Sequence, residues 1–314
     1  MNLHFAYCQG DILLAKGEDG RLTIPSGEEP PVAFQPWEKV TRLTAPLSPP
    51  MRGEMSPAAQ SLPLMGELEG ASIYRLDRPV TGRDDLQMMG LRQTFDILSP
   101  EMYRLAGKCA ELVYWDQNSK FCGCCGAPMK WHTEISKHCT ECGKELWPQL
   151  ATAIIVRVTR FKDLKIDDLR IDGQAQPKSS NQKSSNTKIE EVLLVHAHSF
   201  RTGYFGLVAG FVETGETLED CVRREVWEET HLRIKNIRYF ASQPWPYPAG
   251  LMVGFTAEYE SGELKLQREE LSNGGWFRKD NLPEIPNRSS LARWLIDDWR
   301  CPSESPKGGE PMKG

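Results

Sequence analysis

Short alternating runs near the start of the chain, DILLAKG and RLTIP, read as strands joined at a Glu-Asp-Gly turn over 18–20. GASIYRLD at 70–77 predicts another strand. LSPEMYRLAGKCAELVYWDQN at 98–118 has helical spacing, with Ser99 placed to cap the helix and Pro100 at its first position. Between the two strand regions, residues 25–63 hold nine prolines, which predicts a surface loop without regular structure. Further on, TAIIVRV and EVLLVHA are β-branched runs that predict paired strands. The residues between them, 161–189, are rich in Ser, Asn, Gln and Lys, a composition that predicts a flexible insertion. IRYFA and LMVGFTAEY predict two more strands around a rigid proline-rich turn, and residues 301–314 read as a disordered tail.

Composition narrows the class. The chain has 314 residues, enough for about two domains. Lys plus Arg is 38 against 43 Asp plus Glu, a net charge of −5, which argues against a protein that coats duplex nucleic acid with a basic face. Hydrophobic residues make up 39%, so a buried core is available. No apolar run approaches the ~18 residues a membrane span needs, and MNLHFAYCQGD lacks the basic start of a signal peptide. Five of the nine cysteines fall within 122–142, and the odd total disfavours an extracellular disulfide framework. The expectation is a metal knot in a reducing compartment, the cytoplasm, with no membrane partner.

Cys122, Cys125, Cys139 and Cys142 form two CxxC knuckles thirteen residues apart. Each knuckle turns backbone amides toward its sulfurs, and two knuckles complete the tetrahedral thiolate shell that Zn²⁺ prefers. Four protein ligands close the site, so a zinc here, one per subunit, is structural. Cys124 reads as a bystander, with His132 and His138 as reserve ligands.

The densest chemistry lies in GFVETGETLEDCVRREVWEETHL, Gly210 to Leu232. Thr217 and Asp220 mark a helix start, and Leu218, Cys221 and Val222 define its apolar stripe. Continuing that stripe delivers Glu225 and Glu229, with Glu228 adjacent. Like charges at such spacing repel, and placing them on the inward edge costs more unless a cation neutralises them. Clustered carboxylates suit Mg²⁺ or Mn²⁺, which leave positions open for water and phosphate oxygens.

This stretch resembles the Nudix box, matching its fixed positions at Gly210, Glu216, Arg224, Glu225, Val226, Glu228, Glu229 and Leu232. His231 stands where the box has its second glycine, a residue expected to end the helix at positive φ, which His tolerates. The ribbon, WPQL at 147–150 and SQPWPYP at 242–248 are similar to the NADH pyrophosphatase branch of that family. The resemblance implies an α/β chain: an N-terminal degenerate Nudix-like domain (1–118), a zinc ribbon (119–149) and a catalytic Nudix domain with a mixed sheet flanked by helices (150–300). It also implies a homodimer that cleaves NADH or NAD⁺ into AMP and nicotinamide mononucleotide and removes NAD caps from RNA 5′ ends.

By motif position, Glu225, Glu229, Glu270 and the carbonyl of Ala209 would hold the catalytic metals. Glu228 would be a ligand or help activate water, and Arg224 would orient the glutamates. Substrate positions carried over are Arg92, Glu134, Trp147, Phe211 and Ala292, together with Gln243, Pro244, Trp245, Pro246, Tyr247, Pro248, Ala249 and Gly250. Trp147 would reach the partner subunit's ligand, and Ser26 stands where the family has a Lys. Two alternatives stay open: hydrolysis of another nucleoside diphosphate derivative such as ADP-ribose, and a non-catalytic nucleotide sensor or zinc-ribbon binding protein.

Overall fold

The computed structural model describes residues 2–44, 69–163, 188–200 and 203–301. The chain divides into two compact units, Met1–Leu150 with Pro244–Gly250, and Ala151–Gln243 with Leu251–Gly314.

The first unit is built on a seven-stranded sheet. Its strands are β1 (Asn2–Cys8), β2 (Asp11–Lys16), β3 (Leu22–Thr23), β4 (Ser26–Gly27), β5 (Lys39–Thr44), β6 (Gly70–Arg75) and β7 (Leu86–Gly90). β1 runs parallel to β6 and antiparallel to β2. Helix α1 (Pro100–Asn118) starts as its sequence predicts, with the Ser99 side chain accepting from the Met102 N–H. Its buried face, including Leu105, Ala106, Cys109 and Leu112, packs with Phe5, Ile12 and Ile73 of the sheet.

The proline-rich stretch is more regular than its composition predicts. Within 25–63 lie β4, a 3₁₀ turn at Pro36–Glu38 and β5. Pro36 opens that turn, where no N–H is required, and residues 37–45 contain no further proline to block the β5 ladder. Residues 45–63 lie outside the described residues.

The ribbon adds β8 (Met129–Thr133), β9 (Ser136–Cys139) and β10 (Glu145–Leu146) to this unit. Its own apolar cluster is small, centred on Cys122, Met129 and Cys139. It is fastened to α1 by Lys137, 1% exposed, whose Nζ lies 2.8 Å from an Asp116 carboxylate oxygen. The same ammonium donates to the Ser119 carbonyl at 3.1 Å and hydroxyl at 3.0 Å, and sits 5.1 and 5.3 Å from the rings of Trp115 and Trp131. A buried charge held this completely is a fixed anchor.

The second unit has a six-stranded sheet of β11 (Ala151–Asp163), β12 (Lys188–Ala197), β13 (Val208–Phe211), β14 (Arg233–Trp245), β15 (Gly250–Ser261) and β16 (Leu271–Arg278). Alternate residues of β11 and β12 enter different cores: Ile154, Val156, Leu193 and Val195 join Val222 and Val226 of α2 (Leu218–Thr230). Ile155, Val192 and Leu194 join Leu295 and Ile296 of α3 (Leu291–Arg300). A sheet covered on both faces explains the uninterrupted apolar runs of these strands.

The predicted insertion is shorter at both ends than 161–189. Phe161, Lys162 and Asp163 pair with Glu190, Ile189 and Lys188, because a polar hairpin extension can satisfy its backbone in the ladder while its side chains stay wet. Residues 164–187 lie outside the described residues, as does the predicted tail from 302 onward. Among the described residues, no helix is long and apolar enough to cross a membrane.

Candidate active site

Strand β13 and helix α2 assemble the acidic site. Gly210 pairs with Ile154 and Ala209 with Ile155. After the turn, the Thr217 hydroxyl accepts from the Asp220 N–H at 3.2 Å and starts α2. The helix ends at His231, which takes the left-handed conformation at φ 59°. Its buried residues are Cys221, Val222, Glu225, Val226, Glu229 and Thr230, so two carboxylates occupy the inward stripe.

Gly210 is required by Glu225. A Cβ at Gly210 would lie 1.8 Å from the Glu225 Oε1, so only a residue without one admits the carboxylate. Arg224 organises the remainder. Its Nε and Nη2 grip Glu216 at 2.6 and 3.0 Å, its Nη1 reaches Glu225 at 2.9 Å and Glu228 at 3.0 Å, and its Nη2 also donates to the Phe211 carbonyl at 2.9 Å. This bidentate grip holds the Glu216 carboxyl down at about 2.

Glu229 has no such support. It is 5% exposed, and among the described residues no hydrogen-bond donor reaches its carboxylate. Burial first, then repulsion from Glu225, Glu270 and Glu228, pushes it up to about 8. Burial also raises Glu225, against the pull of Arg224. Glu270 stands in the turn before β16, which is tied to the end of α2 by the Gln267 N–H donating to the Glu229 carbonyl at 2.9 Å.

A buried, unpartnered carboxylate among like charges fits a divalent cation, which supplies the missing counter-charge. Glu225 and Glu270 lie near enough to Glu229 for their charges to repel it, and Glu228 is the more exposed box carboxylate. Among the described residues, only the four cysteines bring three or more candidate ligand atoms within 4.8 Å of one another.

The cysteines fit zinc. Cys122 and Cys142 sulfurs are 3.7 Å apart and those of Cys125 and Cys139 are 3.4 Å apart. Zn–S bonds of ~2.3 Å in a tetrahedron require sulfur separations of ~3.8 Å. Backbone amides of Cys124 and Cys142 donate to the Cys122 and Cys139 sulfurs at 3.4 and 3.5 Å. Cys124 supplies no sulfur to the group, and His132 faces Glu145 at 3.5 Å instead.

The predicted substrate residues fall into separate groups. Arg92 lies over the rings of Trp245 and Tyr247, 5.0 and 4.1 Å from their centroids, all within the first unit. In the second unit, the Gln243 side chain bridges the Ser289 carbonyl (2.7 Å) and the Leu291 N–H (2.8 Å) at the start of α3, next to buried Ala292. Phe211 is exposed, as is Trp147. Glu134 is committed to β5, accepting from the Thr44 N–H at 3.0 Å.

The model of the NUDIX domain matches residues 184–297, and that of the NADH pyrophosphatase-like rudimentary NUDIX domain matches residues 2–115. A protein of Stutzerimonas stutzeri named NAD-capped RNA hydrolase NudC is 36% identical over 235 residues, 74% of this chain and 75% of that one. A Klebsiella pneumoniae protein of the same name is 38% identical over 237 residues, 74% of this chain and 79% of that one. The chain belongs to the Nudix hydrolase family. A Nudix hydrolase of Nitrosomonas europaea is among the similar solved structures, at 20% identity and a TM-score of 0.41, covering 60% of this chain and 97% of that one.

In this Nudix hydrolase Gly210 lies on β13, Glu216 in the turn that follows, and Arg224, Glu225, Val226, Glu228 and Glu229 on α2, with Leu232 just past its end. Sequence reasoning missed what holds Pro244–Gly250. Tyr103, Gly107 and Glu111 of α1 touch that segment, and the one visible signal was a glycine in mid-helix, where it is unfavourable without a packing reason.

Proposed function

We propose that this enzyme hydrolyses the diphosphate of NADH or NAD⁺, giving AMP and nicotinamide mononucleotide, and removes NAD caps from RNA 5′ ends. The observation that carries the reading is the match to NAD-capped RNA hydrolases at 36–38% identity over three quarters of the chain. The buried, unpartnered Glu229 beside Glu225 and Glu270 supports it chemically.

Glu225, Glu229, Glu270 and the Ala209 carbonyl would hold Mg²⁺ or Mn²⁺. Such ions neutralise diphosphate oxygens and lower the pKa of a water that attacks phosphorus. Arg224 keeps Glu225 and Glu228 in place through its grip on Glu216, and Glu228, free on its outer side, is available to accept a proton from water. In the second unit, exposed Phe211 presents a flat face for a ring of the dinucleotide, and Gln243, bonded to the start of α3, and Ala292 within it are further substrate positions. In the first unit, Trp245 offers a flat face of its own. Zn²⁺ on Cys122, Cys125, Cys139 and Cys142 holds the ribbon. The reading extends to a homodimer in the cytoplasm, to which exposed Trp147 offers contact area.

Product chromatography tests the assignment. The protein is given NADH, NAD⁺, ADP-ribose and NAD-capped RNA with Mg²⁺ or Mn²⁺, and Glu229→Gln serves as control. AMP and nicotinamide mononucleotide from wild type, lost in the variant, are the expected result. Turnover of ADP-ribose alone would move the substrate, and tight binding without turnover would make the protein a sensor.

A further inference from the structure

Three residues of α1 form a floor under Pro244–Gly250. Tyr103, Gly107 and Glu111 recur every four residues and share one helix face. The Tyr103 and Tyr247 hydroxyls are 2.7 Å apart. Gly107 faces Pro246, and a Cβ at Gly107 would lie 3.1 Å from the Pro246 Cγ. Glu111 lies beside the Gly250 backbone, and its Oε1 is buried without a partner. Arg92 supplies the other support, over the Trp245 and Tyr247 rings, which meet edge to face at 5.2 Å.

The segment is therefore held along its length by the N-terminal unit, although its sequence lies inside the catalytic half. We propose that Tyr103, Gly107 and Glu111 are positioning residues that fix the shape of the Pro244–Gly250 turn and thereby set affinity for the dinucleotide. This rests on the reading that the turn binds substrate. A ring stacks well only on aromatic faces already held in place, because ordering them on binding subtracts from affinity. None of the three reaches the box carboxylates through any described contact, so their effect belongs to KM rather than kcat.

The test uses full-length, zinc-loaded protein with NADH and saturating Mg²⁺ or Mn²⁺, comparing wild type, Gly107→Val, Tyr103→Phe, Glu111→Ala and Glu111→Gln. Gly107→Val and Glu111→Ala should raise KM roughly five- to ten-fold with kcat within about two-fold, Tyr103→Phe somewhat less. Glu111→Gln keeps the side-chain shape and a side-chain oxygen beside Gly250 and should stay near wild type. Unchanged KM in Gly107→Val and Glu111→Ala, against an active wild type, overturns the inference alone. A fall in kcat that tracks melting temperature in every variant, Gln included, shows a purely structural role and also overturns it. No NADH turnover by wild type sinks the substrate reading, and the inference with it.

Discussion

At Gly210 a single missing carbon decides whether the carboxylate of Glu225 has a place to lie. Gly210→Ala should leave the fold standing, since β13 tolerates Ala, but cost activity on the order of 10²-fold through misplacement of Glu225. Turnover measured beside far-UV circular dichroism checks this, and a variant within a few-fold of wild type would remove the steric argument. A second residue-scale prediction concerns Glu111, whose carboxyl burial pushes from 4.5 up to about 7. The folded protein then binds the proton more tightly than the unfolded chain. Stability is fullest below the unfolded value, falls as pH rises through the window to about 7, and is flat above it. Glu111→Gln cannot ionise, so it should gain on wild type between about pH 4.5 and about pH 7 in denaturant midpoints. A constant gap would contradict the assignment. Arg224 and its glutamates are legible as sequence because their spacing is local. Tyr103, Gly107 and Glu111 are not, since their partners lie far along the chain and nothing in a helical pattern names a distant proline or amide.

On the scale of elements, α2 carries its own small flaw. A left-handed residue that is not glycine costs ~1 kcal/mol, and the exposed hydrogen bond from His231 Nδ1 to the Lys265 carbonyl at 3.1 Å returns ~0.5. His231→Gly should therefore stabilise the protein by about 0.5 kcal/mol, read as a small rise in melting temperature. A loss would mean the His231 side chain matters more than its backbone. The ribbon shows the limit of composition as a guide in the other direction: two CxxC pairs announce a zinc knot, yet nothing in their spacing names Lys137. Likewise, nine prolines conceal a strand because what matters is where each proline falls relative to the N–H groups the ladder uses. Strong chelation or Cys139→Ser should free the ribbon while the sheet of β1–β7 holds. Hydrogen exchange would then rise in 121–146 and stay protected in β1 and β6; protection throughout would show that Lys137 and its neighbours suffice without metal.

Across the whole molecule, the two candidate metal sites lie in different units, the four cysteines in the first and the box carboxylates in the second. Dialysis against a mild chelator should abolish turnover, and added Mg²⁺ or Mn²⁺ should restore it, while zinc stays on the closed cysteine site as followed by metal analysis. Zinc leaving in step with activity would contradict that division. The strands and helices around each core are readable from periodicity; the division of the chain is not. A reading that runs in order along the sequence cannot see that seven residues in the middle of one unit belong to the fold of the other.

That arrangement bears on how such a chain changes over generations. Recombination at residue 150 would look harmless on a linear map. It would nevertheless hand one parent's Tyr247 and Gly250 to another parent's α1, so the two stretches must be inherited together or drift in step.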